Sequence, residues 1–147
     1  MSSTSIKKII PCKKKQLIEM VLDIEKYPEF VPWCIQGKIF NKSESKDLVT
    51  FNGDLKDGKS LLNETFSSHV SYYKEKDKII VTNLDGPLKH LKNEWKFKDI
   101  NNSTQLEFFI DFELKNPILN AIMKKSFELG INKIASSFEK RAINLFK

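Results

Sequence analysis

The chain has 147 residues, 40% of them hydrophobic, and a formal net charge of +6. That length suits one domain able to bury roughly two-thirds of its unfolded surface, and the composition excludes a disordered chain. No apolar run reaches the ~18 residues of a membrane-spanning helix, and the start MSSTSIKKIIPC has neither a signal-peptide core nor the arginine of a transit peptide. The expectation is a single domain, residues 1–147, retained in the cytoplasm where it is made. Arg141 is the sole arginine, the other basic residues being lysine. A specific DNA or RNA site favours arginine forks. The charge therefore points to a solvated lysine-rich surface with loose attraction for ribosomes or anionic lipid. Cys12 and Cys34 have no CxxC spacing and no neighbouring histidine. Zinc and disulfide-framework readings both fail, and reduced thiols are expected.

In chain order, Ser5–Ile10 is a strand stopped by Pro11, and Leu17, Ile18, Val21 and Leu22 then recur at helical spacing. This first helix runs from Lys13 to near Asp23. Residues 27–34, YPEFVPWC, follow, with Pro28 suited to open a one-turn helix. Strands are expected at Ile35–Phe40, at Leu48–Phe51, through Leu62, Phe66 and Val70, and at Lys78–Leu84. Two further strands alternate cleanly. Leu91, Asn93, Trp95 and Phe97 share one face against His90, Lys92, Glu94 and Lys96; Leu106, Phe108, Ile110, Phe112 and Leu114 share another against Glu107, Asp111 and Glu113. One greasy face and one wet face predict an antiparallel sheet covered on one side. The cover is a helix starting at Asn116-Pro117 and running to about Phe146, with Leu119, Ile122, Met123, Phe127, Ile131, Ile134, Phe138 and Leu145 as its inward stripe. At ~1.5 Å per residue this helix spans about 45 Å, enough to cross the whole concave face. The fold class is α+β: a strand, short helices, a six-strand meander and a long C-terminal helix.

The catalytic inventory is thin. His69 and His90 fall on polar strand faces, and no serine, cysteine or metal-ligand motif with a base beside it is present. Glu107, Asp111 and Glu113 sit on a wet face where cross-strand ion pairing is expected, so no metal and no cofactor are inferred. What the chain has in excess is apolar surface enclosed between sheet and helix. If side chains fill that space it is a core; if they leave it open it is a tunnel. Gly130, mid-helix, signals close packing or deliberate room, and Asn93 on an apolar face needs a partner that a ligand could supply.

The segments DIEKYPEFVPWC (Asp23–Cys34), LDGPLKHLKNEWKF (Leu84–Phe97), DFEL (Asp111–Leu114) and FEKRA (Phe138–Ala142) together resemble the coenzyme Q-binding branch of the START-like, polyketide cyclase superfamily. The resemblance runs over nearly the whole chain. It implies a helix-grip fold, a curved antiparallel sheet wrapped around the long terminal helix. It further implies an apolar tunnel holding a polyprenyl quinone (ubiquinone), as carrier or chaperone in respiration or quinone biosynthesis, without catalysis. Tyr27, Phe30, Val31, Trp33, Leu91, Asn93, Trp95, Phe108, Ile110, Phe112, Leu119, Ile122, Met123 and Phe127 are the expected ligand-binding residues. The branch also contains RatA-like toxins, described as binding the large ribosomal subunit and blocking subunit association. The PWC ending is more similar to the quinone-binding members than to the toxins, which often carry Gly where Trp33 stands. An enzymatic reading, after the cyclase relatives, would start from Asn93 or Glu64. FNGDLKDGKSLL (Phe51–Leu62) departs from the family in being more polar and lysine-rich. YPEFVPWC is the candidate tunnel mouth, with Phe30 and Trp33 pointing inward and the Tyr27 hydroxyl near water; a plain hydrophobic plug is the alternative. Contact with the inner membrane, if the ligand is exchanged there, would use Lys13, Lys14 and Lys15.

Overall fold

The computed structural model describes residues 2–58 and 63–146. Seven strands form one antiparallel sheet in the order β1-β7-β6-β5-β4-β3-β2. They are β1 (Ser2–Ile10), β2 (Cys34–Glu44), β3 (Leu48–Asp57), β4 (Thr65–Tyr73), β5 (Lys78–Asp85), β6 (Leu88–Ile100) and β7 (Ser103–Leu114). Two α-helices complete the fold, α1 (Lys14–Leu22) and α2 (Pro117–Phe146), with a 3₁₀ segment at Ile24–Glu29 and a single 3₁₀ turn at Lys74–Lys76. This is the α+β helix-grip order that the sequence predicts, six strands in meander with β1 returning to pair with β7.

The strands run longer than local pattern indicates. β1 begins at Ser2 because β7 offers partners as far as Phe112. β2 extends to Glu44 through polar NKSE because Ser43 and Glu44 pair with Thr50 and Val49 across the hairpin. An edge strand lies largely in water, so its sequence carries little alternation to read. Asn41, with φ of 52°, lies inside the register shift between Phe40 and Ser43, as a bulge requires. The Leu62 end of the expected third strand lies outside the described residues.

Between α1 and β2 the chain is pressed against the sheet. A Cβ on Gly37 would sit 2.1 Å from the Ile24 carbonyl oxygen, so only glycine lets the 3₁₀ segment approach β2 this closely. α2 starts as its Asn-Pro signature dictates: the Asn116 Oδ1 accepts from the amides of Ile118 (2.9 Å) and Leu119 (3.1 Å). Its inward face is Phe127, Ile131, Ala135, Phe138 and Ala142, and its backbone approaches β1, β7 and α1. Two members of the expected inward stripe are corrected: Ile122 is 48% and Leu145 51% exposed. The buried residues of α2, Phe127, Ile131, Ala135, Phe138 and Ala142, recur every three to four positions, and Ile122 and Leu145 fall off that face.

The wet face behaves as alternation predicts. Lys7 pairs with Glu107 (3.4 Å) and Lys78 with Glu94 (3.3 Å), while the His90 imidazole meets the Asp111 carboxylate at 3.2 Å. His69 meets the Asn52 Oδ1 at 2.9 Å, and the Ser67 hydroxyl donates to Asp54 (2.7 Å).

Candidate functional site: an apolar cavity between sheet and helix

A cavity of about 510 Å³ opens between the middle turns of α2 and strands β3–β7. α1 and the 3₁₀ segment close one end with Val21, Ile24 and Tyr27. The walls come from the inward faces of the strands: Gly53, Leu55 and Asp57 on β3; Phe66, Ser68 and Val70 on β4; Ile79 and Val81 on β5. β6 supplies Leu88, Leu91, Asn93 and Trp95, and β7 supplies Phe108, Ile110, Phe112 and Leu114. On β3, β4, β5 and β7 the lining residues alternate, as a pleat with one face toward the space requires; on β6 the alternation from Leu91 is offset from Leu88 by the register shift between Leu88 and His90.

Eleven of the fourteen expected residues border this space: Tyr27, Val31, Trp33, Leu91, Asn93, Trp95, Phe108, Ile110, Phe112, Met123 and Phe127. Three do not. Ile122 faces solvent, and Leu119 is half-buried against the core outside the lining. Phe30 turns away from the cavity, edge-on to Tyr27 (5.6 Å) and Phe138 (5.0 Å), with the Arg141 guanidinium 5.1 Å above its ring. Arg141 in turn donates to Glu29 at 2.7 Å, and that bond holds the Glu29 carboxyl below the usual carboxylate range. The opening motif is thus divided. Tyr27 and Phe30 plug the packed end, while Trp33 stands at the cavity, edge-on to Phe66 at 5.8 Å.

Tyr27 also departs from expectation. It is 7% exposed, and its hydroxyl donates to the Val21 carbonyl rather than to water. Burial, with the neighbouring Cys34 and Asp23 adding to it, pushes its pKa well above the ordinary tyrosine value. Asn93 finds its partners inside the protein. Its amide donates to the Phe109 carbonyl (2.8 Å), and its Oδ1 accepts from the Trp95 indole N–H (2.7 Å). That arrangement fixes the Trp95 ring, which stacks edge-on to Phe108 at 4.7 Å.

The β3–β5 wall was the part that sequence reasoning missed. Its signal was present: in FNGDLKD, Phe51, Gly53, Leu55 and Asp57 point inward while Asn52 and Asp54 bond outward to β4. The polar half of the alternation makes the stretch look too hydrophilic to face an apolar space. Asp57, 2% exposed, is the one carboxylate among the described residues lining the cavity. It raises the Cys34 pKa further, after burial, and burial alone raises that of Cys12, so both thiols stay protonated and poorly nucleophilic.

On the helix side, Ser126, Leu129, Gly130 and Lys133 border the cavity and are also exposed, so the space meets solvent along this edge of α2. A Cβ on Gly130 would find nothing within 4 Å, which makes this glycine a source of room, not of close packing. The arrangement can enclose an elongated apolar molecule and offer it a few polar groups. It presents no facing acid–base pair among the described residues, both histidines being engaged on the outer face. No three metal-ligating side chains cluster among the described residues, and no described helix is long and apolar enough to cross a membrane.

A curved antiparallel sheet gripped by a terminal helix around an apolar space is the START-like, helix-grip class of protein. The chain belongs to the family described as polyketide cyclase / dehydrase and lipid transport, which residues 10–139 match. It is 32% identical over 143 residues to the ribosome association toxin RatA of Rickettsia prowazekii, covering 95% of each chain. It is 30% identical over 134 residues to the mitochondrial coenzyme Q-binding protein COQ10 of Dictyostelium discoideum, covering 89% of this chain and 64% of that longer one. A START superfamily protein from Mycobacterium smegmatis superposes with a TM-score of 0.82 at 19% identity, over 97% of this chain and 98% of the other, a likeness of fold alone.

Proposed function

We propose that this protein binds a polyprenyl quinone in the cavity and serves, without catalysis, as its carrier or chaperone in respiration or quinone biosynthesis, in the cytoplasm and at the membrane surface. The observation that carries this reading is the cavity itself: about 510 Å³, within the ~300–1,000 Å³ of ligand sites, and walled mainly by aliphatic and aromatic side chains. Similarity to a coenzyme Q-binding protein supports the ligand class. The Trp33 indole N–H and the Ser68 hydroxyl, both bordering the space, are the donors that a quinone's oxygens, which only accept, could use. The test is organic extraction of protein purified from a quinone-producing host, followed by mass spectrometry. A quinone in roughly stoichiometric amount is expected. Protein that carries none, and cannot be loaded in vitro, ends this reading.

A second reading rests on the RatA similarity, which spans nearly all of both chains, and on the net charge of +6. In it the protein binds the large ribosomal subunit and opposes subunit association. Lysine contacts to phosphate weaken steeply with salt. Added protein should therefore raise the proportion of free subunits in low-salt sedimentation and lose that effect at high salt. An unchanged profile at low salt rules it out.

A further inference from the structure

The mouth of the cavity is bordered by apolar surface that the fold leaves uncovered. Leu129, which lines the cavity, is 62% exposed, and Ile118 is 71% exposed. At 3.6 residues per turn, Ile118, Ile122, Lys125 and Leu129 fall within about 60° of one another on α2. The face is therefore a ridge of large aliphatics beside the opening, accompanied by the exposed lysines 125 and 133. No packing requirement explains it, because the residues that hold α2 to the sheet lie on the other side of the helix.

The ligand proposed above supplies the reason, and the inference rests on that reading. The cavity opens to solvent along this edge of α2, so the tail of a long polyprenyl chain that leaves it passes Leu129. Each methylene left in water costs enough to slow release by several-fold, so transfer needs an apolar phase at the opening. A lipid bilayer meets that need, and lysines beside the ridge match an anionic bilayer surface. From this geometry we infer that the face of α2 formed by Ile118, Ile122 and Leu129 with Lys125 and Lys133 docks the protein on an anionic membrane with the cavity mouth facing the lipid. Lys13–Lys15 are a poorer candidate. Lys14 is committed to Asp77 (2.9 Å) and Asp99 (3.2 Å), and no large exposed aliphatic belongs to α1.

Flotation with phosphatidylglycerol/phosphatidylcholine vesicles tests the assignment on the full chain. Wild-type protein should float with anionic vesicles and much less with phosphatidylcholine alone. Ile118→Asp/Ile122→Asp should reduce binding by roughly tenfold or more, and Lys125→Glu by about fivefold at low salt. Lys13→Glu/Lys15→Glu should bind as wild type. The helix variants should retain their extracted lipid and their melting temperature. Failure of the wild type to float, undiminished binding by the isoleucine variant, or transfer of the effect to the Lys13/Lys15 variant overturns the assignment. So does loss of bound lipid together with vesicle binding in the isoleucine variant, which would make those residues part of the cavity wall. A wild type that floats but never carries quinone fails the carrier reading while leaving the docking face intact.

Discussion

The two halves of α2 have similar compositions and opposite environments. From Ile131 to Phe146 the helix is seated on small and aromatic residues. Ala135 and Ala142 let its backbone approach, and Phe138, 1% exposed, is edge-on to Tyr27 (5.3 Å), Phe30 (5.0 Å) and Trp95 (5.1 Å). From Pro117 to Gly130 the helix is less deeply seated, with Leu119 and Met123 only half-buried against the core. Phe127 alone is buried there, against Phe112 at 5.0 Å, and Ile118, Ile122 and Leu129 face outward. The deeply seated half carries most of the packing, while the edge from Ser126 to Lys133 opens the cavity to solvent. A fold that must stay intact while its interior is filled and emptied benefits from that separation.

The contrast breaks most visibly at Phe138. Phe138→Ala removes the shared partner of three aromatic rings and should cost ~3–5 kcal/mol in urea unfolding. A cost under about 1 kcal/mol would mean that the packed half is not the anchor. Trp33→Ala sharpens the other side. Trp33 is half-buried at the cavity with one ring neighbour, Phe66, so its loss should cost only about 1–2 kcal/mol while bound lipid falls sharply in the extract. A large loss of stability with lipid retained would make it a plug.

Gly130 marks the boundary between the halves. Because a Cβ there meets nothing within 4 Å, Gly130→Ala should raise stability by about 1 kcal/mol in thermal unfolding, with ligand content unchanged. The last effect is confined to alkaline solution. Below pH 10, the ordinary tyrosine value, folded and unfolded chains both hold the Tyr27 proton; above it only the unfolded chain releases it, so stability falls as pH rises. Phenolate absorbance from Tyr27 should thus appear together with loss of near-ultraviolet circular dichroism, and Tyr27→Phe should remove that contribution.

Strand β6, strand β7 and the start of α2 were legible from the chain because each is written in short-range chemistry: strict alternation from Leu91 to Leu114, then an Asn-Pro cap. The resemblance carried by YPEFVPWC and LDGPLKHLKNEWKF pointed to the right superfamily for a related reason, as both segments supply residues that border the sheet–helix space. The β3–β5 wall was not legible, since its inward residues are small, polar or interrupted, and only pairing with neighbouring strands decides which way Gly53, Asp57 and Ser68 face. Phe30 could not be assigned either, because its direction depends on Arg141, 111 positions further along the chain. By itself, then, the sequence determined that one face of a sheet must be covered by one helix, because periodicity and capping are local. Only the tertiary structure decided that the cover fits closely at Ala135 and Ala142 and stands open at Gly130. Whether apolar side chains fill a space or enclose one depends on the distance between elements, and no local pattern encodes that distance.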